Sequence, residues 1–427
     1  MFAALLFGGV DIIVLGLFSV ITAFIFVLWI MDAWSIGELR FSTNWLQLPI
    51  IGLIVIGIVQ LLPLGDPAVA NGALSIAPNN ALSLDPFSTR LFVLRLIAYL
   101  IFFAAALTFV DTKSRATKAA VAIVIFGALL AFFGVLQRLA NPEAIYGVRP
   151  TPQSIAFGPF MNQHHFAAFM EMTSGLVLGM LFGRGVKRDR RPFLMIAAVL
   201  MGIALIFTGS RGGIISYACV ITFVVTVSYL FRGRSNATGR TESDGRRPVA
   251  LVAGTLGLVL IGVLAVIYLG GGDSVVRGFG LSLGDTDIST GRFHFWRIAT
   301  QIAAAHPVLG SGLDSFGVAF TKFDTQSGLY RVEQAHNDYL QAFSDGGLLG
   351  FACVAAFVVL MFKNGIKSVK ASTDDLNKSI ALGSLAGCFG IAIHSFFDFP
   401  LRTPSNALFF LLLVSLATIA PFAHRKT

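Results

Sequence analysis

Residues 12–31 run for twenty positions without a charged side chain. At 1.5 Å per residue, such a run coiled as a helix matches the roughly 30 Å hydrocarbon core of a bilayer. A helix also satisfies its own backbone hydrogen bonds, as lipid requires. Windows of the same character lie at 8–31, 47–64, 90–110, 117–138, 162–183, 192–208, 212–231, 249–270, 337–362, 378–398 and 404–422, eleven in all. Only 12% of residues are charged, against about 25% in a soluble domain. A soluble enzyme, a disordered regulator and a disulfide-stapled module are therefore excluded. The expected fold is all-α, a polytopic transmembrane helical bundle of about eleven or twelve spans. The whole of 1–427 reads as a single integral membrane domain. No basic segment precedes the first run, which reads as a retained helix and not a signal peptide. Cys219, Cys353 and Cys388 each lie inside an apolar run and read as small buried hydrophobes.

The net charge is +9, and its placement explains it. Nineteen of the 31 Lys and Arg fall in 111–118, 184–191, 232–248, 363–378 and the C-terminal tail. If the spans alternate, these segments share one side, which the excess of positive charge makes the cytoplasm. Topology accounts for the basic clusters, so membrane lipids are implied as partners and nucleic acid is not. The outer side then holds 65–89, 139–161, the turn 208–212, the long segment 271–336 and 399–403. Loops as long as 271–336 usually carry function. Within it, Thr290 to Ala305 reads as a helix. Phe293, Trp296, Ile298 and Ile302 oppose Arg292 and Arg297, a pattern suited to lying on the outer membrane surface.

Four polar clusters stand at the outer ends of spans. Thr208-Gly209-Ser210-Arg211-Gly212-Gly213 closes the sixth span and opens the seventh. The seventh runs inward, so its exposed N–H groups, Ser210, Arg211 and the small Gly212 and Gly213 make an anion site. A tight turn with a snorkelling arginine is the competing reading. Ser289-Thr290-Gly291-Arg292, with Trp296, heads the surface helix. There Arg292 is either a second phosphate contact or an ordinary charge of an amphipathic helix. His336-Asn337-Asp338-Tyr339 opens the ninth span. Asn337 or Asp338 caps that helix, and His336 is a candidate proton acceptor or else a solvated interfacial residue. Gly346, Gly347 and Gly350 then allow close helix packing. His394 and Asp398, four apart, share a helix face. Ionisable residues inside a span are functional hypotheses by default, although a structural hydrogen-bonded pair is the more economical reading. Adjacent His164 and His165 point apart on a helix, Glu171 stands more than a turn away, and no metal site is read. Gly310-x-Gly312 is a weak phosphate signal without its strand–turn–helix context. Arg95 and Asp11 lie deeper in spans and have no assigned role.

Taken as a set, these motifs resemble the O-antigen ligase/polymerase superfamily of bacterial membrane glycosyltransferases. The resemblance rests on Gly158-Pro159-Phe160-x-Asn162-x-x-His165-Phe166-Ala167, Ser210-Arg211-Gly212-Gly213, Gly291-Arg292 with Trp296, Pro307-x-x-Gly310-x-Gly312 and His336-Asn337-x-Tyr339-Leu340, over roughly residues 150–400. It implies a GT-C-like transferase in the bacterial inner membrane, with its site facing the periplasm and 271–336 as a periplasmic loop. The donor would be a glycan on undecaprenyl diphosphate. The acceptor hydroxyl would belong to lipid A core in a ligase or to another lipid-linked glycan in a polymerase. No cofactor and no obligatory metal are implied. The family's essential arginines map to Arg211 and Arg292, and its essential histidine to His336. Elementary chemistry agrees, because a diphosphate leaving group needs cations where negative charge grows and an acceptor hydroxyl needs a base. On this reading His336 is the base, Arg211 and Arg292 hold the diphosphate, Asp338 orients the groups, and displacement inverts the anomeric carbon. Ser210, Gly212, Gly213, Trp296, Asn337, Asp338, His165, His394 and Asp398 complete the expected substrate-binding set. A transporter or flippase of lipid-linked sugars is the distant alternative. Transporters tend to carry repeats and helices broken at the midplane, and no repeat is visible here.

Overall fold

The computed structural model describes residues 1–65, 80–140, 143–151, 155–183, 185–233, 291–325 and 332–419. The expected span 249–270, the basic loop beyond 233 and residues 271–290 lie outside these. The helices are α1 (Ile12–Ile36), α2 (Gln47–Gln60), α3 (Pro86–Phe109), α4 (Lys113–Ala140), α5 (Gln163–Phe182), α6 (Arg191–Phe207), α7 (Arg211–Gly233), α8 (Arg292–Ala305), α9 (Phe316–Phe323), α10 (Asp338–Ala371), α11 (Asp375–His394) and α12 (Pro404–Ala417). Ten of the eleven expected windows thus hold a helix. Eight described helices are long and apolar enough to cross a membrane, and α2 and α12 are apolar but shorter. Strand structure among the described residues is confined to a small hairpin, β1 (Ala144–Ile145) with β2 (Arg149–Pro150). The chain is therefore an all-α, multi-pass membrane protein. Asp11 is not deep in a span: it precedes α1 and accepts hydrogen bonds from the Arg149 guanidinium at 2.5 and 3.0 Å.

The centre of the bundle is a seam of backbone against backbone. Gly175 and Gly179 of α5 and Gly183, which caps it, recur every fourth residue, and Gly383 and Gly387 answer them on α11. A Cβ placed on Gly179 would stand 2.1 Å from the Gly383 Cα, and one on Gly175 2.5 Å from the Gly387 nitrogen. Without a hydrophobic drive between helices in lipid, this close packing is what holds them together. Fully 89% of the α5 membrane window is buried, against 11% for the peripheral α1.

α10 is not one straight helix. At Gly347 the backbone turns to φ 60°, ψ −161°, and the chain 307–313 docks into the break. Ser311 and Gly312 donate N–H groups to the carbonyls of Ser344 and Asp345 at 2.9 and 3.1 Å, and Leu348 donates to Pro307 at 2.8 Å. The Gln60 amide of α2 donates to the carbonyls of Leu309 and Asp345 at 2.5 and 2.8 Å and accepts from the Leu313 N–H at 2.8 Å. A Cβ on Gly347 would lie 2.4 Å from the Val308 carbonyl. The glycines Gly310 and Gly312 therefore build a strap and not a phosphate loop. Arg402 locks the same region, bonding Asp314 at 2.7 Å and Asp345 at 2.8 Å.

Two ends of the bundle differ in character. At one end the described basic segments 111–118, 185–191 and 363–378 gather, with Lys113 bonded to Asp374 and Gly185 against Leu376. At the other end the starts of α5, α7, α10 and α12 meet the finish of α11.

Candidate active site

Asp398 is the centre of that second end. α11 stops at His394, and one more turn, closed by the Asp398 N–H on the His394 carbonyl at 3.1 Å, carries the carboxylate into the site. It is 1% exposed. Its Oδ1 accepts the Phe399 N–H at 2.9 Å and faces the His336 Nδ1 at 3.1 Å. Its Oδ2 lies 3.7 Å from the Arg292 guanidinium and 3.9 Å from the His164 Nδ1. Burial would raise this carboxyl, but the His336 hydrogen bond and the His164 imidazole hold it well below the usual carboxylate range. The expected pairing of His394 with Asp398 does not form. Because the helix has ended, the two side chains take different partners, and His394 bonds Glu171 of α5 at 3.1 Å with both residues buried.

His336 sits just before α10 with φ 52°, a left-handed backbone that a non-glycine residue adopts at a cost. Its Nδ1 faces a carboxylate and so carries the proton, which leaves Nε2 as the acceptor. Phe295 of α8 stacks on the ring at 5.8 Å and Phe399 meets it edge-on at 4.8 Å. Asn337 caps α10, accepting the Tyr339 and Leu340 N–H groups at 3.1 and 3.0 Å, and donates to the Phe396 carbonyl. Asp338, expected to orient reacting groups, accepts from the Ser395 hydroxyl at 2.9 Å and the Leu401 N–H at 3.3 Å. Together they clamp the Asp398 turn to the start of α10.

The Ser-Arg-Gly-Gly turn forms the facing wall. Ser210 accepts the Gly213 N–H at 3.2 Å and bonds His164 at 2.9 Å. A Cβ on Gly212 would lie 3.2 Å from the His394 Nε2, and one on Gly213 2.8 Å from the Ala167 Cβ. At both positions the absence of a side chain admits these neighbours. Arg211, between Ser210 and the two glycines, begins α7. Arg292 begins α8, after Gly291 in a left-handed conformation. Among the described residues, its Nε and the Trp296 indole N–H one turn on are buried without a hydrogen-bond partner. The helix expected from Thr290 starts at Arg292. It packs Ile298, Ala299 and Ile302 on Phe316, Ala319 and Phe320 of α9.

His165 is 7% exposed, bonding Thr403 at 2.6 Å, while its carbonyl accepts from Asn406 at 3.0 Å. It ties α5 to α12, and its neighbour His164 is the one that faces Asp398. Sequence reasoning weighed His164 and Glu171 only as metal ligands and did not single out Phe295, because their meeting here depends on which helices pack together. The assembled site offers an imidazole oriented by a carboxylate, with Arg211 and Arg292 each at a helix start.

The family match falls on the part of this site that holds Ser210, Arg211, Arg292 and His336. Residues 196–355 match the family model described as O-Antigen ligase. The chain is 23% identical over 235 residues to a protein described as "Exopolysaccharide production protein ExoQ" from Rhizobium meliloti (strain 1021). That match covers 52% of this chain and 52% of the relative, so the chain spans about half the length of the curated relative it matches. Over these residues the chain is similar to O-antigen ligase-like membrane proteins.

Proposed function

We propose that this protein is a glycosyltransferase of the bacterial inner membrane that moves a glycan from undecaprenyl diphosphate to an acceptor hydroxyl at the periplasmic side. The observation that carries the reading is the His336–Asp398 pair with Arg292 beside it. Asp398 holds His336 with Nε2 free to take the acceptor proton. The oxygen so activated attacks the anomeric carbon from the face opposite the diphosphate, the carbon–oxygen bond to the diphosphate breaks, and configuration inverts. Arg211, Arg292 and the N-terminus of α7 take up the charge that grows on the leaving group, a task they perform without a metal. The whole chain acts as one membrane domain, with 271–336 as its periplasmic loop.

Within this reading the acceptor is either lipid A core, which makes the protein a ligase, or another lipid-linked glycan, which makes it a polymerase. The name of the relative, an exopolysaccharide production protein, favours keeping the second. The break in α10 gives little support to transport, because the chain's own residues 307–313 fill it. The test is incubation of purified protein with a lipid-linked glycan and each acceptor, with and without chelator. Transfer that survives chelation is expected, and product size separates ligase from polymerase. Absence of turnover with every acceptor would overturn the proposal.

A further inference from the structure

Arg95 takes no part in the site above. It stands on α3 with Tyr99 one turn further, on the same helix face, and both line an elongated cavity of about 200 Å³. The cavity wall is otherwise almost entirely apolar, built by residues such as Leu53 of α2, Val354 and Phe357 of α10 and Phe410 of α12. At one end it reaches Asp338, Ser395 and Leu401, the clamp that holds the Asp398 turn, and it extends away to Pro49 and Met361. Among the described residues, two polar atoms in this wall have no partner: the Arg95 Nε and the hydroxyl of Tyr99, a residue only 7% exposed. Arg402 and Arg95 both stand over the Phe92 ring, at 4.8 and 5.6 Å from its centroid, but Arg402 is neutralised by Asp314 and Asp345. No carboxylate among the described residues pairs with Arg95 in the same way. A cation and a hydroxyl left unsatisfied in an apolar groove are costly. The complementary occupant is apolar along its length and anionic at one point.

We propose that this groove binds a phosphate-bearing lipid, its chain laid along α2, α3 and α10 and its phosphate held by Arg95 and Tyr99, and that this lipid is the acceptor. The second half rests on the transferase reading. There the donor diphosphate lies on Arg211 and Arg292, and neither α7 nor α8 lines the groove. The groove comes to α10 from the α2–α3 side, at Asp338, two residues beyond His336. A lipid seated in it leads its head toward the base from the side the donor leaves open.

The test uses the full chain in phosphatidylcholine nanodiscs. A trace of phosphatidic acid with a diazirine in its acyl chain is irradiated in place, in parallel with the matching diacylglycerol, which lacks the phosphate. Labelled peptides are mapped by mass spectrometry. Phosphatidic acid is expected to label the groove segments of α2, α3 and α10 about tenfold more than diacylglycerol, the ratio one charge-assisted hydrogen bond supplies. Arg95→Gln should erase that preference and Arg95→Lys should keep most of it. Val354→Trp, which fills the groove and leaves Arg95 intact, should remove labelling by both lipids, and it carries the test if Arg95→Gln fails to insert. Equal labelling by the two lipids, or a preference that persists in Arg95→Gln, overturns the lipid site. In turnover, Arg95→Gln should raise the acceptor KM and leave donor affinity unchanged. An unmoved KM overturns the acceptor assignment. Selective labelling in a protein that transfers to no acceptor supports the lipid site and removes the transferase reading.

Discussion

A carboxylate as deeply buried as Asp398 keeps its charge because His336 and His164 face it. A group whose folded value is depressed stabilises the fold above its unfolded value, about 3.9 for an aspartate, and loses that contribution as pH falls through the lower folded value. The stability gap between wild type and Asp398→Asn, followed by thermal unfolding in detergent, should therefore be flat above about pH 5 and close on further acidification. A gap that instead closed as pH rose from roughly 6 to 8 would belong to a protonated imidazole. Arg211→Lys should insert normally and lose most of its activity. The planar fork that grips two oxygens is gone although the charge remains, and one such electrostatic contact is worth about 2.7–4 kcal/mol in the transition state. Near-normal turnover in a steady-state assay would make Arg211 a membrane anchor. His336→Ala should lose general-base help of roughly 10²–10⁴-fold in kcat while donor binding survives. Loss of donor binding in that variant would mark His336 as a phosphate ligand. The polar motifs were legible because charged and hydroxyl residues are sparse at the outer ends of spans. The pairing of His336 with Asp398 was not legible, because a spacing of four implies one helix face only while the helix continues, and α11 stops at His394.

At the scale of the elements, the α5–α11 seam and the broken α10 do the positioning. The seam brings Glu171 to His394 and holds the two helices whose ends carry His164 and Asp398. Gly179→Leu should therefore cost more than the roughly 1–3 kcal/mol of ordinary overpacking, because the intruding atoms meet the Gly383 backbone and not a yielding side chain. The expected readout is loss of the monodisperse peak when detergent extracts are run on a sizing column. An unchanged peak would mean the helices can part without harm. The glycine stripe of α5 is visible in the sequence as a four-residue repeat. Helix existence was equally legible, since a run such as 12–31 leaves one solution in lipid. The break at Gly347 was not, because its cause is the distant strap 307–313 and the amide of Gln60, partners that no local periodicity can name.

At the scale of the whole molecule, the placement of charge sets the orientation that the proposed chemistry needs. The described basic segments 111–118, 185–191 and 363–378 come together at the end opposite Asp398, as alternation of the spans requires. On the proposed orientation, a membrane-impermeant thiol reagent added outside should modify Thr325→Cys and leave Arg240→Cys untouched. The reverse pattern would turn the site toward the cytoplasm and remove the mechanism with it. The glycine seam also bears on how such a chain is made. α5 leaves the ribosome half a chain before α11, so until α11 is inserted Gly175 and Gly179 face lipid or a passing helix with nothing to close against. Nascent protein is thus exposed to mispairing throughout that interval, and the candidate site, which needs Asp398 from beyond α11, comes into being only once α11 has followed.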